Sequence, residues 1–589
     1  MLSRSASLER PMSRRVLAAV AGLSIVAALS SGPGTAAPPP PTITVIVRAS
    51  SVFIADANEA VASLGGMVTR RLSTMDAFIA ELPSDRIDAL LRTRGVLSVA
   101  PDAGVHLLGT VDGVDPNKYP GSWLKVAKNT KLIEMWQKGW TGKGVDVALI
   151  DSGVAPVEGL AMNVINGPDL SFESQASNLT DIDTYGHGTH LAGLIAGRDS
   201  SIRPGREDED VDNAFVGAAP GARIVSVKVA ASDGATDVSQ VIAAIDWVVE
   251  HRNTEGLNIR VLNLSFGTDS TQDYRLDPLA YAAEVAWFHG IVVVVSAGNA
   301  GLSTTRLNDP AYDPYVIAVG ADDTKGTDDP KDDTIPSWES RGNSVRGPDV
   351  VAPGKSIVSL RDPGSFVDTQ NPTARLGGSR FFKGSGSSQA AAIVSGAVAT
   401  LLQQRPGLTP DQVKFLLMNA ASPLPGADAV AQGEGLINLH NAREARTPSA
   451  ADAAQSWPRS TGLGSLQQAR GTVVASDDGV VLSGEQTIFG DAWDPVAWAN
   501  ASWDGTTWSG GSWNGRTWSG DCWCASGWAG RTWSGRTWSG NAWSGRSWSG
   551  RTWSGRTWSG NGWSAGDWGD SESPSALTSS GWAGTIWGD

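Results

Sequence analysis

Along this chain, apolar residues gather in blocks of two kinds. Short runs rich in Val and Ile alternate with longer stretches in which apolar positions recur every three or four residues, the periods of strands and of one-sided helices. Between Thr42 and about His106 the order is a strand-like TITVIVRA, a helical ADANEAVASLG, a strand-like AFIAELP, a helical SDRIDALLRTRG and a strand-like VLSVAPD. That succession predicts a small α+β module of the split βαβ kind. From about Trp123 to Ala445 the strand candidates are VDVALI, ARIVSVKV, IRVLNL, IVVVVS and YVIAVG, separated by helical patterns. One such helix, VSQVIAAIDWVVEH, puts Val238, Val241, Ile242, Ile245 and Val249 on a single stripe. Apolar strands alternating with amphipathic helices predict an α/β domain, a mostly parallel sheet flanked by helices on both faces.

Both ends depart from this pattern. Arg14 and Arg15 precede the apolar run Val16 to Leu29, and small residues follow up to GTAAPPPP, so residues 1–37 read as an export signal. The run is short for a membrane span. Residues 446–487 shift to Ala, Ser, Thr, Gly and Gln and read as a linker, and residues 488–589 form a Trp-rich repeat tail. Trp stands at every fifth position from Trp493 to Trp568, 16 in strict phase, in a unit close to W-S-G-R-T. A continuous strand would throw successive tryptophans to opposite faces, whereas a turn at each Ser-Gly returns them to one side. Arg516, Arg531, Arg536, Arg546, Arg551 and Arg556 stand within reach for cation–π stacking. The tail reads as a cell-wall or carbohydrate-binding platform, a self-associating stalk or an unstructured linker, with the first two preferred.

Composition narrows the class. A net charge of −15 without any basic block excludes a nucleic-acid surface. Cys522 and Cys524 are the only cysteines, too close in sequence for an unstrained mutual bond, though between chains they could cross-link the tail. A secreted core with no disulfide framework is held by burial, which favours a large domain. The expected setting is extracellular, with the tail as a route to cell-surface association.

In an open parallel sheet, functional groups gather at the carboxyl ends of strands. Asp151 directly follows VDVALI, Ser265 follows IRVLNL and Asn299 follows IVVVVSAG. His187 lies in TYGHGTHLAGLIAG, and KGSGSSQAAAIVSG enters a helix that is apolar nearly all round. Taken singly, Asp151 and Asn299 read as turn formers. His187 and His190, at an i, i+3 spacing, would be metal ligands only with a third partner that the sequence does not supply nearby.

Together, and in this order, the motifs resemble the subtilisin-like serine peptidases. ALIDSGV resembles that family's aspartate motif, GHGTHLAG its histidine motif, SAGN its oxyanion asparagine motif and GSSQAAAIVSG its serine motif. GAAPGARIVSVKV, VLNLSFG, DVVAPGKSIVS and GEGLINL agree, over roughly Lys131 to Asn441. The resemblance implies a secreted serine endopeptidase with Ser388 as nucleophile, His187 as base, Asp151 as its orienting carboxylate and Asn299 in the oxyanion hole. It also implies that Ser265, Phe266 and Gly267 line the cleft and pair with an extended protein or peptide substrate. Where the family usually has Thr, Met, Pro and His around the serine, this chain has Ser387, Gln389, Ala392 and Ile393. By the same resemblance, residues 42–106 form a ferredoxin-like inhibitory propeptide that Ser388 cuts from its own chain between Val105 and Ser122. The chemistry needs no cofactor and no catalytic metal. Structural calcium stays open at the acidic stretches EDEDVD and DDPKDD, which fit no EF-hand loop. The altered serine motif and the Trp array leave a rival reading, a cell-surface adhesion or self-assembling protein with an inert peptidase-like domain. Hydrolysis of non-peptide esters is a distant third.

Overall fold

The computed structural model describes residues 42–513 except 50–52, 73–76, 102–110, 172, 175–178, 379, 474–475, 478–479, 482, 488–491 and 510–511, together with 516–517, 538–539, 558–559 and 586–587. The chain divides into two units, Met1–Val105 and His106–Asp589. The export signal expected at 1–37 and both cysteines lie outside the described residues.

The first unit runs β1 (Thr42–Ala49), α1 (Ile54–Ser63), β2 (Met67–Leu72), β3 (Ala77–Pro83), α2 (Ile87–Leu91) and β4 (Val96–Pro101). Its sheet is antiparallel in the order β2-β3-β1-β4, a ferredoxin-like arrangement. Val45 and Val47 of β1 and Phe78, Ala80 and Leu82 of β3 alternate inward against Ala57 and Val61 of α1 and Leu90 of α2. Periodicity missed β2. Its MVTRRL has Arg70 and Arg71 in succession, and as an edge strand with a register shift between Val68 and Arg70 it needs no strict alternation.

The second unit opens with α3 (Trp123–Asn129) and α4 (Leu132–Trp136). Its main sheet holds β5 (Asp146–Asp151), β6 (Val164–Asp169), β7 (Arg223–Lys228), β8 (Ile259–Leu264), β9 (Val292–Ser296), β10 (Ile317–Asp322) and β11 (Val350–Pro353). The order is β11-β10-β9-β8-β5-β7-β6, with every neighbouring pair parallel. All five expected strands are present. The two unforeseen ones, VINGPD and VVAP, are interrupted by Gly and Pro or only four residues long. Between the strands run α5 (His187–Ala196), α6 (Glu207–Asp210), α7 (Val238–His251) and α8 (Pro278–Phe288). Helix α7 coincides with the expected stripe and starts at a capping box built by Asp237 and Gln240.

After the sheet come β12 (Ile357–Leu360), α9 (Phe366–Gln370), β13 (Arg375–Leu376), β14 (Phe381–Ser385), α10 (Ser387–Gln404), α11 (Pro410–Ala420) and α12 (Leu439–Glu444). Helix α10 is buried from Ser387 to Leu402 and packs against α5 and strands β8 to β11. Its apolar composition on all sides is what such a central position requires.

The span expected to be a linker is folded instead. It carries α13 (Ala450–Ala453), α14 (Leu466–Arg470) and the strands β15 (Ser476–Asp477) and β16 (Val480–Val481). Arg470 is fully buried and its Nε donates to Asp237 Oδ2 at 2.6 Å, while Thr268 Oγ1 donates to the Ala469 carbonyl. The first repeats of the array follow as α15 (Pro495–Trp503), β17 (Trp508–Ser509), β18 (Ser512–Trp513) and β19 (Arg516–Thr517). Trp493, Trp498, Trp508 and Trp513 are buried, and Trp508 faces Trp513 across an antiparallel pair with ring centroids 6.5 Å apart. Further along, Trp538 pairs in parallel with Trp558, four repeats away. Among the described residues, no helix is long and apolar enough to cross a membrane.

Candidate active site

Asp151 ends β5 and His187 begins α5, both completely buried. His187 Nδ1 lies 2.9 and 3.0 Å from the two carboxylate oxygens of Asp151. The Ser152 backbone N–H donates to Asp151 Oδ1 at 2.8 Å, holding the carboxylate from the other direction. A second buried carboxylate fixes the helix that presents the imidazole. Asp183 accepts from the backbone N–H groups of Gly186 (2.6 Å) and Thr189 (2.7 Å), from Thr189 Oγ1 (2.6 Å) and from Ser152 Oγ (2.8 Å). A carboxylate at these otherwise orphaned donors also suits the helix dipole. At Gly188 an added Cβ would stand 2.1 Å from the Gly153 carbonyl oxygen, so only glycine lets α5 approach the end of β5 this closely.

His190, the other histidine of the motif, is buried with Nε2 3.2 Å from the Phe382 carbonyl of β14, and burial pushes its pKa down to about 3. Ser359 Oγ of β12 donates to the His190 carbonyl. A neutral His190 thus pins α5 to the sheet that leads into the serine motif.

The bonding of the neighbouring serines separates them. Ser385 Oγ accepts from the Ser356 N–H at 2.8 Å. Ser387 donates twice to Asn299 Oδ1, from its N–H at 2.9 Å and its Oγ at 3.0 Å, and its Oγ accepts from the Gly298 N–H. Ser395 Oγ donates to Asn263 Oδ1 and to the Ala391 carbonyl. Ser388 Oγ makes a long contact of 3.5 Å to the Ser265 carbonyl. It sits in the first turn of α10, as His187 does in α5, and those two helices pack together.

Asn299 follows β9 on a loop that turns at Gly298 with φ +110°, where a Cβ would lie 2.7 Å from Asn308 Oδ1. Ser265 Oγ donates to the Ser388 carbonyl at 3.4 Å and accepts from Asn263 Nδ2 at 3.0 Å, tying β8 to α10. Phe266 is fully buried, so its side chain belongs to the core and only its backbone is left to meet a substrate. An added Cβ at Gly267 would lie 2.9 Å from Asn308 Cβ. No functional role was read from the sequence for Asp183, Ser152, Thr189 or Ser387. The signal for the first was an Asp four residues before the histidine at a helix start.

Arginines answer one acidic stretch: Asp210 pairs with Arg203, Glu209 with Arg206 and Arg203, and Glu207 with Arg198. In the other, Asp328 lies 3.4 Å from Lys125, and Asp333 is pushed up to about 6 by burial and neighbouring carboxylates. Among the described residues, no group of three or more His, Cys, Asp or Glu side chains is arranged to hold a metal ion.

Comparison with known families adds to this geometry. The subtilase family model matches residues 142–462, over half of the chain. The chain belongs to the subtilase family. As a subtilase it is a serine-type endopeptidase by family, and a peptidase inhibitor domain model matches residues 32–102, the region of its ferredoxin-like unit. It is similar to the serine protease AprX of Bacillus subtilis strain 168, 36% identical over 307 residues that cover 51% of this chain and 66% of AprX, just under two thirds of that relative. It is 31% identical to subtilisin DY of Bacillus licheniformis over 316 residues, 53% of this chain and 96% of that one. Fervidolysin from Fervidobacterium pennivorans, a keratinolytic enzyme related to subtilisin, aligns at 24% identity with a TM-score of 0.43, covering 70% of this chain and 62% of its own. The subtilase match stops at residue 462, before α14 and the buried tryptophans, so those elements are an addition folded onto the family domain.

Proposed function

We propose that this subtilase is a secreted endopeptidase that hydrolyses peptide bonds through an acyl-enzyme on Ser388. His187 Nε2 takes the Ser388 hydroxyl proton as Oγ attacks the scissile carbonyl carbon, then gives that proton to the departing amine. Water repeats the sequence in reverse to release the acid. Asp151 keeps the Nδ1–H tautomer in place and stabilises the imidazolium. The carboxylate–imidazole pair, with His187 Nδ1 within 3.0 Å of both oxygens of buried Asp151, is the observation that carries this reading.

The oxyanion would be met by the Ser388 backbone N–H and by Asn299. Because Ser387 holds the Asn299 carboxamide by its oxygen, the end left to donate is Nδ2. The first turn of α10 adds its dipole. The backbone of Ser265, Phe266 and Gly267 would pair with the extended residues before the scissile bond. No step draws on a cofactor.

Residues 42–106 would be the first substrate, an inhibitory propeptide cleaved by Ser388 itself. A parallel sheet assembled from contacts distant in sequence folds slowly, which gives a folding template a physical purpose. The test is the intact mass of the secreted protein beside Ser388→Ala. Loss of the segment up to between Val105 and Ser122 in the wild type alone supports the reading. If both remain uncut, the reading fails and the inert adhesion protein takes its place. Since Trp493, Trp498, Trp508 and Trp513 are consumed by packing, a cell-wall or carbohydrate ligand, or self-association, would fall to the repeats from Trp518 onward. Cosedimentation of residues 1–589 with insoluble polysaccharide, compared with residues 1–517, tests the ligand.

A further inference from the structure

The subtilase match ends at residue 462, and α14 lies just beyond it. The helix is short, yet Leu466, Ala469 and Arg470 are fully buried, and it packs against α7 and α8. Two adjacent residues of α14 hold two different loops of the family domain. The Ala469 carbonyl accepts from Thr268 Oγ1 at 2.5 Å, and Arg470 Nε donates to Asp237 Oδ2 at 2.6 Å. Thr268 directly follows Ser265–Gly267 on the loop leaving β8. Asp237 closes the loop leaving β7, where its other oxygen caps α7 by accepting from the Ser239 N–H at 2.9 Å.

Strands β7 and β8 are the two neighbours of β5, whose last residue is Asp151. The loops leaving their carboxyl ends therefore flank the catalytic carboxylate, at the edge where an open parallel sheet binds its ligands. Consecutive Cα atoms stand about 3.8 Å apart across a planar peptide, so one rigid unit of α14 ties the two loops together. The β8 loop is held on either side of that unit. Gln272 exchanges two hydrogen bonds with the Ser465 backbone, at 2.8 and 3.1 Å, and Asp269 accepts from the Thr472 N–H at 2.6 Å and its Oγ1 at 2.7 Å. From within the family domain, the N–H and carbonyl of Thr268 pair with the Asp309 backbone, each at 2.9 Å. Loops at a sheet edge move unless their backbone is tied down, and here most of these ties come from outside the family domain.

We propose that α14 is a positioning element for the acyl side of the substrate, with Thr268 and Arg470 as positioning residues. Holding the β8 loop to Asp237 fixes the Ser265–Gly267 backbone in advance, so a peptide lying along it does not have to order that segment on binding. Neither residue touches the reacting atoms. The inference rests on Ser388 as nucleophile and on Ser265–Gly267 as the partner of the residues before the scissile bond. The family domain then holds Asp151, His187 and Ser388, while the added segment sets how firmly the cleft grips a long substrate.

The experiment compares the processed full-length wild type with Thr268→Val and Thr268→Ser on two p-nitroanilides that share the residue at the scissile bond. One carries a single acyl residue and the other four. Thr268→Val keeps the shape and loses the hydroxyl. It is expected to raise KM on the four-residue substrate about three- to tenfold, the effect of one neutral hydrogen bond, with kcat unchanged. The value of kcat/KM on the one-residue substrate and the rate of fluorophosphonate labelling, neither of which engages the length of the cleft, are expected to stay at wild type. Thr268→Ser restores the donor and should match wild type on both substrates. Thr472→Val frees Asp269 from the added segment at an exposed position, and carries the test with a rise of about twofold if Thr268→Val does not fold. Equal loss on both substrates, or an unchanged KM on the four-residue substrate, overturns the proposal. A wild type that gains nothing from the longer acyl part refutes the cleft assignment beneath it, and an unlabelled wild type refutes the nucleophile.

Discussion

Asp246 on α7 is where the tryptophan array meets the catalytic unit. Its Oδ2 accepts from Trp498 Nε1 at 3.0 Å and Trp513 Nε1 at 2.9 Å, and its Oδ1 accepts from Ser502 Oγ at 2.6 Å. Asp246→Ala strands three buried donors, each costing about 1–3 kcal/mol. Part of this is offset, because burial pushes the Asp246 carboxyl up to about 6, a penalty on the order of 3 kcal/mol at neutral pH that the variant escapes. The expected net loss is about 3 kcal/mol. Asp246→Asn is expected to cost less than about 1 kcal/mol. Its oxygen can face the two indoles while the Ser502 hydroxyl turns to accept from the amide. The assay is urea unfolding in a Ser388→Ala background, followed by tryptophan fluorescence. The sign of the pH dependence follows from a folded-state pKa raised above the unfolded value. Stability contributed by Asp246 is full below about 4 and declines as pH rises through about 6. Asp246→Asn should remove that decline. An Asp246→Ala loss under about 0.5 kcal/mol, or an equal loss in both variants, would refute the reasoning.

Three further outcomes are expected. Asp151→Asn should lower kcat by roughly 10⁴ with little change in KM, measured on a chromogenic peptide, because the imidazole loses its correct tautomer. Asn299→Ala should lower kcat by about 10²–10³ while leaving fluorophosphonate labelling detectable, as loss of one oxyanion donor does. Arg470→Ala should destabilise by about 3–5 kcal/mol in urea, because Asp237 is left as a buried unpaired charge, and adding Asp237→Asn should restore part of it.

The sequence by itself determined whatever is written locally. The five Val- and Ile-rich strands and α7 were legible because burial on a sheet or a helix face imposes a short period on neighbouring residues. Asp151, Ser265 and Asn299 stood out because each follows an apolar strand of a parallel sheet, whereas grouping Asp151, His187, Asn299 and Ser388 as one expected site rested on the resemblance of four ordered motifs to one family. Strands β2, β6 and β11 escaped because arginines, Gly and Pro, or sheer brevity erased the period. Tertiary structure alone decided which polar groups meet. Asp183 beneath the histidine helix, and Ser387 rather than Ser388 on the oxygen of Asn299, depend on loops folded back over each other. The span beyond Ala445 shows this most plainly. Its composition reads as linker and repeat, yet Arg470 reaches Asp237 across 233 residues and Trp513 reaches Asp246 across 267. A buried charge or indole N–H must find a partner wherever the fold supplies one, and periodicity, which reports only neighbours along the chain, does not encode where that is.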